Sequence, residues 1–199
     1  MNIILSGYGK MGRLIEKYAI EKGHSIAAVI DPVIEKTQSE AGSGIYKTLD
    51  VFEKQRGLPE CCIAIDFTHP IAVIGNIQDF SGKRIPLVVG TTGWYDKLDE
   101  VTALIQKNQS SLLWAANFSA GVNLFYRIAA YCASLIDPHT EYDAAGYEAH
   151  HRQKMDSPSG TAKTIAGIVL KNMKRKSKVV WDKLDRPPEP DEIHFASLR

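Results

Sequence analysis

A six-residue turn, Gly7-Tyr8-Gly9-Lys10-Met11-Gly12, sets the terms for the first half of this chain. It follows a short apolar run, Asn2 to Ser6. It opens a segment with helical apolar spacing that reaches about Lys22, where Gly23 is placed to stop a helix. The next apolar run, Ile26 to Ile30, ends in Asp31, nineteen positions beyond Gly12. Glycines at these spacings also occur in turns that serve packing alone. Strand, glycine turn, helix, strand and terminal acid in this order make a βαβ unit suited to a dinucleotide. The glycines allow a tight turn and close approach of a pyrophosphate to the helix N-terminus, and Asp31 is set to accept from the ribose hydroxyls. Gly7, Tyr8, Gly9, Lys10, Met11, Gly12 and Asp31 are therefore the expected cofactor-binding residues.

Beyond Asp31 a polar stretch from Pro32 to Tyr46 reads as a surface loop, and a short helix is expected near Asp50. Strand, polar turn and helix then repeat. A strand over Cys61 to Phe67 leads into Asp66-Phe67-Thr68-His69-Pro70. A helix follows with Ile71, Ile74 and Ile77 in register, closing near Gly82. A strand over Pro86 to Val89 ends in Gly90-Thr91-Thr92-Gly93, and the next helix carries Leu98, Val101, Leu104 and Ile105 on one face. A strand over Leu112 to Ala115 leads into Ala116-Asn117-Phe118-Ser119. In a parallel sheet such turns gather at the C-terminal ends of the strands, where ligands bind.

The second half has a different organisation. A helix from Gly121 to about Ile136, with Val122, Phe125, Ile128, Ala129, Cys132 and Ile136 on one face, precedes a strand running from Glu141 towards His150. A helix over Thr161 to Lys174, a strand over Val179 to Trp181, a proline-rich loop and a last strand from Ile193 complete it. Between them lies Glu148 to Ala162, E-A-H-H-R-Q-K-M-D-S-P-S-G-T-A. It sets two imidazoles and an ammonium beside a serine-capped helix start, whose first N–H groups suit a carboxylate or phosphate. That mixture suggests proton transfer on an anionic small molecule; the plainer alternative is an exposed basic loop. Histidine suits a proton donor near neutral pH, and Lys154 with the N–H groups at Ser159 to Thr161 can hold carboxylates. The histidines lack a third ligand at structural spacing, so no metal is expected.

Composition narrows the functional class. Net charge is +1 from 24 basic and 23 acidic residues, and the one basic run, Lys171 to Lys178, lies where cations complement a helix C-terminus, so no nucleic-acid partner is expected. The absence of a signal-like N-terminus and of a membrane-length apolar run predicts a cytoplasmic protein with no membrane partner. Cys61, Cys62 and Cys132 lie in apolar patterns and make a poor disulfide framework. A semialdehyde dehydrogenase, which needs a reactive cysteine, fits these thiols badly. A non-catalytic NAD-sensing module would leave His150, His151 and Lys154 unexplained.

The glycine turn, Asp66-Phe67-Thr68, Gly90-Thr91-Thr92-Gly93, Ala116-Asn117-Phe118-Ser119 and above all Glu148 to Ala162 resemble the 4-hydroxy-tetrahydrodipicolinate (dihydrodipicolinate) reductase family. The likeness covers essentially the whole chain. Its most specific part is H-H-x-x-K-x-D-x-P-S-G-T-A, met from His150 to Ala162 with Ser157 where alanine is common in the family. The glycine turn is one residue shorter than the form found in many members.

The resemblance implies an α/β fold with a Rossmann-like, parallel-sheet dinucleotide-binding domain over 1–118 and a smaller α+β substrate and oligomerisation domain over 119–199. It implies a cytoplasmic enzyme of the diaminopimelate route to lysine, a homotetramer, that reduces a cyclic dicarboxylic imine with NADH or NADPH. By the same resemblance His150 is the proton donor and Lys154 a substrate cation that shares that role. His151, Ser159, Gly160 and Thr161 contact the substrate, while Gly90, Thr91, Thr92, Ala116, Asn117 and Phe118 flank the nicotinamide. Asp31 followed by Pro32, in place of a phosphate-binding arginine, favours NADH. Family members continue beyond the position of Arg199 through roughly another fifth of the fold. The last strand is accordingly expected to present an unpaired edge, and the chain to be weakly active at best.

Overall fold

Strand β1 (Asn2–Ser6) is apolar over Ile3 to Leu5 because both of its faces are covered there. Alternate residues point to opposite sides. Ile4 joins one buried cluster with Ala64, Val73, Ile77, Phe80 and Trp94, while Ile3 and Leu5 join another with Tyr8, Ala19 and Val29. Burying one such side chain contributes roughly 1.5–3 kcal/mol. In the computed structural model, which describes residues 1–152, 154 and 156–199, the chain divides into two units, Met1–Ala116 and Asn117–Arg199.

The first unit is a six-stranded sheet, all of whose named strand pairs are parallel. Its other strands are β2 (Ser25–Ile30), β3 (Ile45–Tyr46), β4 (Cys62–Asp66), β5 (Leu87–Val89) and β6 (Leu112–Trp114), in the order β3-β2-β1-β4-β5-β6. The direction of winding reverses between β1 and β4, and ligands of such sheets bind at that switch point. The helices are α1 (Lys10–Glu21), α2 (Leu49–Arg56), α3 (Pro70–Gly82) and α4 (Leu98–Asn108). Gly23, at φ +77°, takes the left-handed conformation that ends the turn after α1. On α3 the buried face is Val73, Ile77 and Phe80, and Ile71, expected to share it, is 89% exposed. The loop from Pro32 to Tyr46, expected to be irregular, contributes β3 as the sheet's edge.

The second unit has α5 (Ala120–Ile136) and α6 (Gly160–Asn172) with β7 (Ala145–Ala149), β8 (Lys178–Trp181) and β9 (Glu192–Leu198). The strand order is β7-β9-β8, with both pairs parallel. The last strand, expected to lie unpaired at an edge, is therefore the centre of its sheet. Pairing with β7 and β8 uses its backbone groups on both sides. Helix α6 covers one face, where Ala162 and Ala166 meet Phe195. A Cβ at Gly146 would stand 2.4 Å from the Phe195 ring, so only glycine allows that approach. The expected inner face of α5 needs correction. Val122, Ala129 and Ile136 are half-buried, but Phe125, Ile128 and Cys132 are exposed, and the buried residue of α5 is Ala133, outside the expected face. The helix is apolar on most sides, and it packs against α6.

The proline-rich loop is held by charge. Arg186 donates twice to Glu192, at 2.8 and 2.7 Å, and Lys176, its side chain wholly buried, donates to the carbonyls of Pro190 and Glu192. Lys176 also pairs with Asp143 at 2.5 Å. The Arg186 guanidinium, with the Glu189 N–H, holds the Glu192 carboxyl down at about 2.

Candidate active site

At the switch point of the first unit the three expected glycines do different work. Gly7, at φ +88°, lies against Phe67, whose carbonyl oxygen would be 2.5 Å from a Cβ there. A Cβ on Gly12 would be 2.2 Å from the Gly7 carbonyl oxygen, so Gly12 is what lets α1 start so close to the turn. A Cβ on Gly9 would meet nothing within 4 Å. Gly9 is the N-cap of α1 and makes no side-chain cap hydrogen bond, and the first turn holds no acid. The front of this helix end is thus open, with backbone N–H groups left for an anion. A cleft of about 690 Å³ lies there, lined by Gly7, Tyr8, Gly9, Asp31 and Thr68 among others. Lys10, Met11 and Gly12 do not line it; Lys10 and Met11 form the exposed first turn of α1, and Gly12 is buried beneath.

Asp31 is already engaged by the backbone. Its carboxylate accepts from the N–H groups of Tyr8 (2.8 Å), Val33 (2.9 Å) and Ile34 (3.2 Å). Of the roughly four lone-pair positions on a carboxylate, one is left for a ribose hydroxyl. Two cations line the cleft. Arg13 pairs with Glu40 at 2.7 Å and stacks over the Tyr8 ring, and Lys47 donates to the carbonyls of Pro32 and Ile34. Tyr8 in turn bonds the buried Glu16, which also accepts from Ser39. Burial and the Glu16 carboxylate push the Tyr8 hydroxyl above its ordinary range. Lys47 and Glu16 carry no motif that sequence reading could have caught.

Beneath the turn lies Asp66, wholly buried at the end of β4. It accepts from Ser6 Oγ (2.8 Å), Asn76 Nδ2 (2.7 Å), Thr91 Oγ1 (2.6 Å) and both the N–H (3.2 Å) and hydroxyl (2.9 Å) of Thr68. The ends of β1, β4 and β5 are thereby tied to one carboxylate. Gly90 packs on the Phe67 ring, where a Cβ would come within 2.2 Å, and Thr91 is buried. Thr92 and Ala116 are exposed, and none of Gly90, Thr91, Thr92 and Ala116 lines the cleft.

In the second unit Asn117 accepts from the Ser119 N–H at 2.8 Å and, with Ser119, shapes the start of α5; Phe118 is exposed. His150 follows β7 directly. Its backbone N–H donates to Leu198 O at 3.1 Å, and its ring is partly buried. Glu148, two residues earlier and on the same strand face, accepts from the Ser159 N–H (2.8 Å), the Ser159 hydroxyl and the Ser197 hydroxyl (2.9 Å). These donors hold its carboxyl below the ordinary range against the opposing effect of burial. Ser159 is buried and caps α6 by accepting from the Ala162 N–H at 3.0 Å. Its hydroxyl and N–H are thus both committed within the protein. Gly160 and Thr161, at the first two positions of α6, are exposed and half-buried. Lys154 pairs with Asp156, whose carboxyl it holds low, and His151 is exposed, its carbonyl accepting from the Lys154 N–H at 3.0 Å. Glu148, within the motif but carrying no expected role, is the residue on which this segment converges.

A parallel sheet in this order, with an open helix N-terminus and a glycine cradle at its switch point, defines a Rossmann-type fold of the dinucleotide-binding class. The family model described as dihydrodipicolinate reductase, N-terminus, matches residues 1–118, and that described as dihydrodipicolinate reductase, C-terminus, matches residues 121–199. The chain belongs to the dihydrodipicolinate reductase family, whose members are pyridine nucleotide-dependent reductases. It is 37% identical over 199 residues to the 4-hydroxy-tetrahydrodipicolinate reductase of Christiangramia forsetii, covering 100% of this chain and 74% of that relative. It is 34% identical over 179 residues to the one of Archaeoglobus fulgidus, covering 88% and 67%. Its fold is similar to that of a dipicolinate-bound dihydrodipicolinate reductase from Paenisporosarcina sp. TG-14, with a TM-score of 0.74 at 21% identity, over 100% of this chain and 78% of that one. No helix among the described residues is long and apolar enough to cross a membrane.

Proposed function

We infer that this chain reduces 4-hydroxy-tetrahydrodipicolinate to tetrahydrodipicolinate with NAD(P)H, in the diaminopimelate route to lysine. The observation that carries the reading is the family match through both units, with the His150 to Ala162 motif intact. NAD(P)H fits the open N-terminus of α1, the Gly9 cradle and the remaining acceptor of Asp31, and when bound it supplies a hydride. Around the substrate, His150 gives the proton that the resulting electron pair requires. Lys154 and the Gly160 and Thr161 N–H groups hold a substrate carboxylate, with His151 beside them. Ser159 acts through the helix it caps, since its donors are spent on Glu148. Gly90, Thr91, Thr92, Ala116, Asn117 and Phe118 flank the nicotinamide.

NADH is the preferred cofactor, because Asp31 sets a negative charge where a 2′-phosphate would lie. The two cations of the cleft are already engaged, Arg13 with Glu40 and Lys47 with two carbonyls, which leaves them less able to bind that phosphate. The enzyme is cytoplasmic and works as a homotetramer, with 1–118 for the cofactor and 119–199 for substrate and assembly. The test is a coupled assay with freshly generated imine and either nucleotide. Turnover with kcat/KM for NADH at least equal to that for NADPH is expected. No oxidation of either nucleotide would remove the activity, and a tenfold advantage for NADPH would show that a cleft cation outweighs Asp31.

A further inference from the structure

Glu148 has one acceptor position that its structural contacts do not use. Oε1 accepts from the Ser159 N–H and the Ser197 hydroxyl, and Oε2 accepts from the Ser159 hydroxyl. Oε2 also stands 3.6 Å from His150 Nδ1. That Nδ1 is buried and has no hydrogen-bond partner among the described residues. A buried ring nitrogen without a partner is costly, and a carboxylate about half an ångström beyond hydrogen-bond reach is the partner at hand. Contacts of this kind are commonly long without substrate and shorten when it binds.

We propose that Glu148 is the positioning residue of the proton donor: it takes the Nδ1–H of His150 and leaves Nε2 as the nitrogen that carries the transferable proton. The proposal rests on the reading of His150 as that donor. In the step, the Nε2–H bond breaks and its electron pair stays on nitrogen. The new C–H bond uses the electron pair left on the substrate after hydride addition. The neutral ring that remains keeps its hydrogen on Nδ1, facing Glu148, and Nε2 regains a proton from water. Because the same carboxylate holds the Ser159 N–H, it also sets the donor's distance from the α6 N-terminus, where the substrate carboxylate is read to bind.

Glu148→Gln separates this role from a purely structural one. The Ser159 N–H can only donate, so the new amide oxygen must face it. The amide NH₂ then falls at the Oε2 position and donates to His150 Nδ1, forcing the ring hydrogen onto Nε2. The experiment measures kcat, KM and melting temperature for Glu148→Gln, Glu148→Asp and His150→Gln, with long-range ¹⁵N–¹H correlation of the imidazoles in labelled protein. We expect the His150 hydrogen on Nδ1 in the wild type and on Nε2 in Glu148→Gln. The kcat of Glu148→Gln should fall about 10- to 100-fold at little change in KM. Glu148→Asp, which keeps the charge, should retain the Nδ1–H form and recover much of the rate. If His150→Gln is impaired while Glu148→Gln keeps wild-type kcat or leaves the tautomer unchanged, Glu148 is structural and the proposal is overturned. If His150→Gln itself keeps wild-type kcat, it is the reading of His150 as donor that fails.

Discussion

Replacing Asp66 with alanine should loosen the floor of the cleft at the start of α1 and the first unit together. The carboxylate is wholly buried and serves five donor contacts from Ser6, Thr68, Asn76 and Thr91. After Asp66→Ala, the Thr68 N–H still reaches Thr91 Oγ1 at 2.7 Å and Asn76 still reaches Thr68 Oγ1 at 3.2 Å. The hydroxyl hydrogens of Ser6, Thr68 and Thr91 lose their acceptor. At about 1 kcal/mol for each, the loss is about 3 kcal/mol, or roughly a 10 °C fall in melting temperature for a unit of this size. Asp66→Asn should cost only about 1 kcal/mol. Its oxygen must stay towards the Thr68 N–H, its NH₂ can donate to Ser6, and Asn76 can turn its own amide oxygen to meet it. The assay is thermal and urea unfolding followed by tryptophan fluorescence, which Trp94 in the buried core should report, with NADH binding measured at 25 °C. Affinity should fall with Asp66→Ala because Ser6, Thr68 and Thr91 tie the strand ends. The reasoning is refuted if Asp66→Ala melts within 3 °C of the wild type, or if Asp66→Asn is as damaging as Asp66→Ala.

Gly12→Ala must push the Gly7 carbonyl away, so it should destabilise by about 1–3 kcal/mol and weaken NADH at least tenfold; Gly9→Ala, facing open space, should weaken NADH at nearly unchanged melting temperature. Equal thermal effects for the two would contradict the separate roles given to these glycines. His150→Gln should lower kcat by about 10² to 10⁴ with NADH binding intact, whereas Lys154→Ala should cost about one to two orders of magnitude in kcat/KM with KM rising. The Glu192 carboxyl, lowered to about 2 by Arg186, stabilises the fold fully above its ordinary value of 4.5, and the benefit is lost as pH falls from there to about 2. The melting-temperature gap between wild type and Glu192→Gln should therefore be open at pH 6 and closed near pH 2; a gap that does not change with pH would rule out the ionised pair as its source.

Most of the first unit could be read from its residues because the signals are local. A strand, three glycines, a helix and Asp31 lie within 31 residues, and their spacing alone dictates a tight turn at a helix N-terminus. Helix starts at Pro70 and Ser159 were likewise legible, since one side chain or one ring decides each. The buried side of α5 was not. Apolar residues surround that helix, so periodicity names no face, and its packing against α6, a long-range contact, decides which side is covered.

The alternation of strand and helix, the glycine cradle and the family motif from His150 to Ala162 were legible in the residues, because all of them depend on neighbours a few positions apart. Relations between distant segments came from the folded chain alone: β9 as the centre of its sheet, Asp31 held by the N–H groups of its own loop and of Tyr8, and Glu148 joined to Ser159 and Ser197. Ser197 lies 49 residues from Glu148, and no spacing rule spans that distance. Strand pairing brings them to one register position, because a buried carboxylate has to find its donors wherever the fold presents them.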